Sequence, residues 1–466
     1  MRRIAVVGGG VAGLAAARRL EALVQDAELV LIEKELRLGG KLLTEHVDGF
    51  VIEGAADSFL SRKGRGIGLC EELGLADELV GRRRGNVRSF VRHGTELHPL
   101  PEGLTGMIPT DLDALTESAL LSPDGRERLA AEVDVPPAPQ DGDESIAAFV
   151  SRRLGREAYE RLVEPLMTGI YGGDGEQLSL QATFPNLRAL ELEHGSVIRG
   201  LSEQAPVDSV HPPFVTLRSG MGTLPAALAA GLARTDAVTG RAAVRLRRSH
   251  GFELELEGGE ELEVDGAVLA VPAFAVAALV SELDDDLAAL HAEIAYASSA
   301  VVTLAYRGED VGRPLDGYGY VVPGAEGSDV LACTWTSRKW EDRAPEGFAL
   351  LRVYAGRFGG RDVTAESDED LVAIAREEVR LLEITAAPAL ARIHRWPRGM
   401  PQYVLGHPER LGRIDAALAR HPGLAVAGAA YRGVGVPDCI ASGEEAAQAV
   451  AAFLERPHAP SVRPLR

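Results

Sequence analysis

Three glycines near the start of the chain have a spacing suited to phosphate binding. Gly8, Gly10 and Gly13 form the pattern G-x-G-x-x-G directly after the apolar run at residues 4–7. Such a turn lets the backbone approach a diphosphate, and the free N–H groups of the helix that follows favour its negative charge. Glu33 lies 20 residues after Gly13, at the end of the next predicted strand, where a carboxylate can accept hydrogen bonds from both ribose hydroxyls of an adenosine. This strand–turn–helix–strand context predicts a dinucleotide site; an ordinary glycine turn is the alternative.

A second glycine pair decides between the possible dinucleotides. Gly39 and Gly40 follow the acidic end of the strand and precede Lys41. A turn here would bring more backbone, and the cation of Lys41, to the diphosphate–flavin side of the ligand. The arrangement resembles the flavin amine oxidase superfamily, in which an Arg or Lys usually follows the glycine pair, and NAD enzymes have no such second element. The pair therefore favours FAD; a plain surface hairpin is the other interpretation.

A similar layout returns near the end of the chain, in "AYRGVGVPDCIASG". The pattern predicts a strand at residues 424–427, a glycine turn and a helix over residues 437–454. Pro437 and Asp438 suit the first turn of a helix. In the resembling flavoproteins this helix directs its N-terminus at the N1–C2=O edge of the flavin, where its dipole stabilises the charge of the reduced cofactor. A terminal helix that only packs against the core is the alternative.

The elements between these ends predict an α/β protein with a Rossmann-like FAD-binding domain assembled from both chain ends. Helical patterns fill about residues 112–205, and alternating polar and apolar residues around Gly258 and Gly259 predict a β-hairpin meander. We therefore expect a mixed α+β substrate domain with a helical insertion. The predicted FAD-binding segments are residues 1–80, 216–283 and 395–456, the substrate segments are residues 81–215 and 284–394, and residues 457–466 form a tail.

Charge and composition narrow the classes of function. The 49 basic and 69 acidic residues give a net charge of −20, which argues against a nucleic-acid partner and allows at most weak peripheral contact with a membrane. Cys70, Cys333 and Cys439 form no C-x-x-C pair, and the histidines lack metal-ligand spacing. We therefore predict no metal site and a reducing, cytoplasmic location.

Four separated motifs carry a more specific resemblance over nearly the whole chain. They are "EPLMTGIYGGDGEQLSLQATFP", "ACTWTSRKWEDRAPEGFALLRVYAGRFGG", "RWPRGMPQYVLGH" and "YRGVGVPDCI". In this order they resemble the soluble bacterial porphyrinogen oxidases, FAD-dependent enzymes that oxidise coproporphyrinogen III or protoporphyrinogen IX to the porphyrin. The second motif is most similar to the Gram-positive branch, whose members are generally assigned to coproporphyrinogen III.

The resemblance implies a set of contacts with FAD. The family's Gly-Pro-Asp-Ser turn is here Ala-Ala-Asp-Ser at residues 55–58, a departure from the family pattern. Val244 is placed beside the adenine, and Trp396 is either a cofactor contact or a residue packed at a strand end. The implied residues are Gly8, Gly9, Gly10, Val11, Ala12, Gly13, Glu33, Lys34, Gly40, Lys41, Ala55, Ala56, Asp57, Ser58, Val244, Trp396, Val434, Gly435 and Val436.

The implied reaction removes six hydrogens from the macrocycle, so one flavin must turn over three times. Hydride passes from a meso carbon to flavin N5, O2 is the expected acceptor, and three H2O2 are formed. A pyrrole proton can leave to water, so no catalytic residue is named.

An anionic porphyrinogen needs a broad apolar cavity with cations at its carboxylate edge. Gly169, Ile170 and Tyr354 are candidates for lining the macrocycle, and Arg62 and Lys63 for binding propionates. A solvated charge cluster is the alternative for the last two. We expect coproporphyrinogen III as the substrate, with protoporphyrinogen IX as the alternative. A flavin amine oxidase, a carotenoid desaturase-like enzyme and a non-catalytic porphyrin-binding flavoprotein remain more distant alternatives.

Overall fold

A computed structural model describes residues 2–85, 88–116, 118–139, 142–204 and 210–455; the predicted tail at 457–466 lies outside these ranges. Its first sheet has five parallel strands, drawn from distant parts of the chain. Across the sheet they are Thr235–Thr239, Ala27–Glu33, Arg2–Val7, Gly266–Leu269 and Leu424–Val426. The predicted strands near residues 4, 28 and 424 are confirmed.

The parallel sheet is covered on both faces, and successive side chains of its strands point into two different cores. Ile4 and Val6 pack against the first helix (Val11–Leu23) and the last helix (Val436–Leu454). Ala5 and Val7 face a second core, built from a three-stranded meander and from the helices near residues 273–292 and 407–418. The meander consists of Ala243–Arg248, Phe252–Leu256 and Glu261–Val264, which confirms the predicted hairpins.

A seven-stranded, mostly antiparallel sheet forms the other large β-layer. Its strands, in order, are Leu390–Pro401, Tyr296–Arg307, Phe348–Ala355, Val330–Trp335, Gly319–Val321, Phe90–His93 and Glu96–Pro99. The strand Leu390–Pro401 pairs along its length with Tyr296–Arg307, so it runs continuously through residue 394, the predicted end of the second substrate segment. The segments 284–394 and 395–456 therefore share a strand.

The remaining strands form small sheets. Phe214–Leu217 pairs with both Phe59–Leu60 and Leu79–Gly81, and two short hairpins are made by Thr44–Val47 with Phe50–Glu53 and by Leu104–Thr105 with Ile108–Pro109.

The predicted helical block is confirmed between residues 123 and 203. Its helices are Pro123–Ala130, Ile146–Leu154, Arg156–Ala158, which continues through a π-helical turn at Tyr159–Val163 into Glu164–Tyr171, then Leu180–Thr183, Pro185–His194 and Val197–Glu203. The other helices are Arg65–Glu72, Thr223–Ala230, Ala273–Leu279, Asp285–Ala292, Thr336–Lys339, Asp368–Val379 and His407–Leu418. Within the ranges given above, no helix is both long enough and apolar enough to cross a bilayer.

Candidate functional site

The two N-terminal glycine turns lie against each other. Gly39 N donates to Gly9 O at 2.8 Å, and a Cβ on Gly40 would lie 3.0 Å from Gly10 Cα. Gly8 has φ +107°, and a Cβ there would lie 2.6 Å from Ala270 O, so this turn needs glycine for both conformation and space. The structure thus brings together the turns that the sequence predicted separately.

The start of the first helix is open in a way that suits a diphosphate. Gly10 is its N-cap, no side chain caps its first turn and no acidic residue lies there. A Cβ on Gly10 would meet no atom of the described residues within 4 Å, so none of them fills the space in front of the turn near this position. The first N–H groups of a helix lack intrahelical partners and carry its positive dipole end. An anionic group such as a diphosphate therefore fits here.

Glu33 lies beneath this turn. Its Oε2 accepts from Gly9 N at 2.7 Å and its Oε1 from Glu35 N at 2.9 Å. Each carboxylate oxygen can accept more than one hydrogen bond, so both retain capacity for a ribose hydroxyl. Lys34 points outward instead and pairs with Glu35 at 3.4 Å. Val244 lies at a bulge of the meander and is 42% exposed.

The last helix packs directly on the first one. A Cβ on Gly443 would lie 2.0 Å from Ala12 O, and Gly423, just before the strand Leu424–Val426, lies at Phe453 near the helix end. Because the C-terminal end of the last helix lies where the strand Leu424–Val426 begins, this helix runs antiparallel to the strands, as the first helix does. At 1.5 Å per residue, its start at Val436 extends about 10 Å beyond the contact at Ala12.

Tyr403 and His407 hold the turn that leads into the last helix. The Tyr403 hydroxyl donates to Ala429 O at 2.7 Å and accepts from Gly433 N at 2.8 Å. His407 Nε2 lies 3.0 Å from Tyr431 O, and the His407 ring stacks on Tyr403 at 4.2 Å. Sequence reasoning assigned these residues no role, although both lie in the motif "RWPRGMPQYVLGH".

His407 gives this turn a pH dependence. Burial lowers its pKa to about 4 from the ordinary 6.5, while the carbonyl of Tyr431 acts in the opposite direction. A histidine whose pKa is lower in the folded state stabilises the fold above pH 6.5, and this contribution is lost as the pH falls to 4. The expected loss is about 3 kcal/mol. Urea unfolding between pH 7 and pH 4 measures it, and in His407→Gln the decline over this interval should be much shallower. Equal slopes in both proteins would contradict the assignment.

The loop at residues 55–58 is tied to the seven-stranded sheet by a buried charge cluster. The Asp57 carboxylate accepts from Lys339 Nζ at 2.9 Å and from Trp340 Nε1 at 3.0 Å, and Arg352 Nη1 lies 3.6 Å away. Burial raises the pKa of Asp57, but the charges of Lys339 and Arg352 outweigh it and hold this pKa far below the ordinary range. The carboxylate is therefore ionised and bound by Lys339 and Trp340.

The neighbouring backbone of this loop is held from two sides. Arg352 Nη2 donates to Ala55 O at 2.5 Å, and the Trp396 indole donates to Gly54 O at 2.8 Å. Ser58 Oγ donates to Asp57. Trp396 is thus hydrogen-bonded to the loop that contains Ala55 and Ala56. The contacts of these residues with FAD stay predictions.

Lys41 lies where three chain segments meet. Its ammonium donates to Gly399 O, and desolvation lowers its pKa, although its side chain is still accessible to solvent. Cys439, in the first turns of the last helix, is the neighbouring ionisable group, and burial raises the pKa of its thiol to about 12.

The substrate candidates fall into two groups. Ile170 is 47% exposed on the helix Glu164–Tyr171, a Cβ on Gly169 would lie 3.6 Å from Val321, and Tyr354 is half-buried with the Arg352 guanidinium 5.1 Å from its ring centre. The second group is the exposed basic pair, Arg62 and Lys63.

Lys63 has a charge partner and Arg62 has none in the described part of the chain. The Lys63 ammonium lies 2.6 and 2.8 Å from the two oxygens of Asp438, which also accepts from Gly435 N at 3.2 Å. Arg62 is exposed, and no hydrogen bond or ion pair joins it to the residues that the structure describes. The two exposed cations therefore differ: Lys63 is paired with Asp438 of the last helix, and Arg62 has no partner among the described residues.

Comparison with known proteins adds a family and several relatives. The family model described as flavin containing amine oxidoreductase matches residues 11–451. A coproporphyrinogen III oxidase of Bacillus subtilis is 35% identical over 97% of this chain and 98% of its own length, and one of Staphylococcus aureus is 32% identical over 97% and 100%. A chloroplastic protoporphyrinogen oxidase of Spinacia oleracea is 28% identical over 97% of this chain and 84% of its own.

Two solved structures are similar to this chain over nearly its whole length. A protein from Exiguobacterium sp. 255-15, provisionally named a protoporphyrinogen oxidase, has a TM-score of 0.85 at 31% identity and covers 98% of this chain and 99% of its own. Cyclohexylamine oxidase from Brevibacterium oxydans IH-35A has a TM-score of 0.70 at 16% identity, over 98% and 100%. The latter likeness is one of fold alone.

Proposed function

Because this chain belongs to the flavin containing amine oxidoreductase family, a family of FAD-dependent oxidoreductases, we propose that it oxidises coproporphyrinogen III to coproporphyrin III. The observation that carries the proposal is the near full-length similarity, at 35% identity, to a relative named for this reaction. Protoporphyrinogen IX is the second candidate, supported by the relatives of that name.

We assign the FAD-binding domain to the parallel sheet and to the segments from both chain ends that build it. The open start of the first helix would hold the diphosphate, Glu33 the ribose, and Val244 the adenine. The start of the last helix lies about 10 Å further along and would face the isoalloxazine. The residues proposed to complete the site are Gly8, Gly9, Gly10, Val11, Ala12, Gly13, Lys34, Gly40, Lys41, Ala55, Ala56, Asp57, Ser58, Trp396, Val434, Gly435 and Val436.

Bound FAD would supply the oxidising chemistry, in which three two-electron steps on one porphyrinogen consume three O2 and yield three H2O2. The protein's own contribution is electrostatic and positional. The N–H groups at the start of the last helix favour negative charge in front of Val436, and Asp438 keeps Gly435 in place. Lys41 adds a cation whose position is fixed by Gly399 O. We assign no catalytic base.

The macrocycle would lie against Gly169, Ile170 and Tyr354, which belong to the helical block and the seven-stranded sheet. Arg62, which has no charge partner among the described residues, is the cation that we propose for a propionate. Lys63 would act through its ion pair with Asp438. A cytoplasmic location remains a prediction; the described cysteines Cys70, Cys333 and Cys439 are free thiols.

Anaerobic reduction of the holoenzyme tests the proposal. Coproporphyrinogen III should bleach the flavin absorbance near 450 nm, and admission of O2 should restore it with release of H2O2 over many turnovers. Protoporphyrinogen IX, added in parallel, ranks the two substrates by kcat/KM. An oxidised band unchanged by either porphyrinogen, together with bleaching by a primary amine, would replace the proposal by amine oxidation. Binding without turnover would indicate a carrier.

A further inference from the structure

Arg398 has an unusual backbone for a non-glycine residue. It lies on the strand Leu390–Pro401 with φ +46°, in the left-handed region that favours glycine, and its N–H donates to Ser298 Oγ at 3.1 Å. Residues held in this region persist where the surrounding structure fixes them, and they are frequent at ligand sites. The next residue, Gly399, supplies the carbonyl that accepts from Lys41. The strained position therefore lies beside the second glycine turn.

The Arg398 side chain is a cation without an anion in the described structure. Its guanidinium carbon stacks 3.8 Å from the centre of the Phe274 ring, and the side chain is exposed. The neighbouring arginines of the same strand are paired, Arg395 with Asp368 at 2.6 Å and Arg392 with Glu45 at 3.4 Å. In a chain of net charge −20, with many carboxylates available, Arg398 thus stacks on Phe274 and has no carboxylate partner among the described residues.

Phe274 places this guanidinium near the first glycine turn. The helix Ala273–Leu279 begins three residues after Ala270, and Ala270 and Val271 are the residues that a Cβ on Gly8 would strike, at 2.6 and 2.9 Å. Ala270 N also donates to Val7 O at 2.7 Å. Arg398 is therefore linked to the phosphate-binding turn on one side through Phe274, and to Lys41 on the other through Gly399.

We propose that Arg398 is an anion-binding residue that contacts the diphosphate of FAD. A guanidinium pre-oriented by an aromatic ring can donate two parallel hydrogen bonds to phosphate oxygens. The backbone N–H groups of the glycine turn are neutral, so a diphosphate held only by them would keep most of its charge, which Arg398 and Lys41 reduce. The proposal rests on the family's cofactor and is independent of which substrate is oxidised.

Titration of the apoprotein with FAD, followed by quenching of flavin fluorescence, tests it. Arg398→Gln and Arg398→Gly should each raise the Kd for FAD about tenfold, and the difference from the unmodified protein should shrink in high salt. Arg398→Gly also relaxes the backbone, so the Tm of its apoprotein should equal or exceed that of the unmodified protein. Arg413→Gln is the control and should change neither quantity, because Arg413 is an exposed arginine of the helix His407–Leu418 with no partner among the described residues.

Three outcomes would overturn the proposal. An unchanged Kd for FAD in both variants excludes a phosphate contact. An unchanged Kd combined with a raised KM for porphyrinogen, at saturating FAD, would assign the guanidinium to a substrate carboxylate. A raised Kd in Arg398→Gly only, with a lower apoprotein Tm in that variant and an unchanged Kd in Arg398→Gln, would show that the side chain serves the fold. None of the FAD measurements uses porphyrinogen turnover, so failure of the proposed substrate leaves them interpretable.

Discussion

Gly443→Ala is expected to displace the last helix and to abolish retention of FAD. The added Cβ would lie 2.0 Å from Ala12 O, a backbone atom that can move only with the first helix. Overpacking of this kind costs about 1–3 kcal/mol, and it would outweigh the gain of about 1 kcal/mol from replacing a helical glycine by alanine. We expect a lower Tm and a colourless protein after gel filtration.

Gly412→Ala provides the matched control for this prediction. Gly412 also lies inside a helix, His407–Leu418, but a Cβ there would meet no atom of the part of the chain that the structure describes within 4 Å. The same change of residue should therefore stabilise the protein by up to about 1 kcal/mol and leave its colour intact. If Gly443→Ala behaved in the same way, the two helices would not be in the close contact described.

Asp57→Asn is expected to have the largest effect on the free energy of unfolding, about 3–5 kcal/mol. The substitution keeps the shape of the side chain but leaves Lys339 and Arg352, which is completely buried, without their nearby carboxylate. Urea unfolding at pH 7 measures the loss. In Asp415→Asn, at an exposed ion pair with Arg432, the loss should stay below about 1 kcal/mol.

The pH dependence of the same variant provides a second test. The pKa of Asp57 is lower in the folded protein, so its contribution is fully present above the unfolded pKa of about 3.9 and is lost as the pH falls further. Below about pH 4, the stability of the unmodified protein should therefore decline more steeply than that of Asp57→Asn. Parallel curves in this range would mean that the buried carboxylate is not ionised.

Local patterns were sufficient to predict the elements that carry the glycine turns. The spacing of Gly8, Gly10 and Gly13 after an apolar strand, and the alternation around Gly258, reflect short-range rules of turns and strands. The strands, helices and meander expected there are present in the structure. The contacts of these turns with FAD stay predictions.

The groups that hold the site in place could not be predicted, because their partners are far away in the sequence. Asp57 meets Trp340 across 283 positions, and Tyr403 meets the carbonyl of Ala429 through a turn whose shape depends on the tertiary fold. Likewise, the sequence shows 49 basic residues but not which of them are paired. Lys63 and Arg62 were predicted as equals, and only the structure separates them.

Translation delivers the central strand long before one of its two neighbours. Ile4 pairs with Leu29 on one side and with Gly266 on the other. The strand that begins at Gly266 pairs in turn with Leu424–Val426, which is made later still. At about 5–20 residues per second, one apolar strand edge stays open on the ribosome for tens of seconds. Such an edge invites wrong pairing, so newly made chains of this protein are candidates for capture by chaperones. If the last helix belongs to the FAD site, as proposed above, loading of the cofactor follows synthesis of that helix, and insertion of FAD becomes a step that cells can control after elongation.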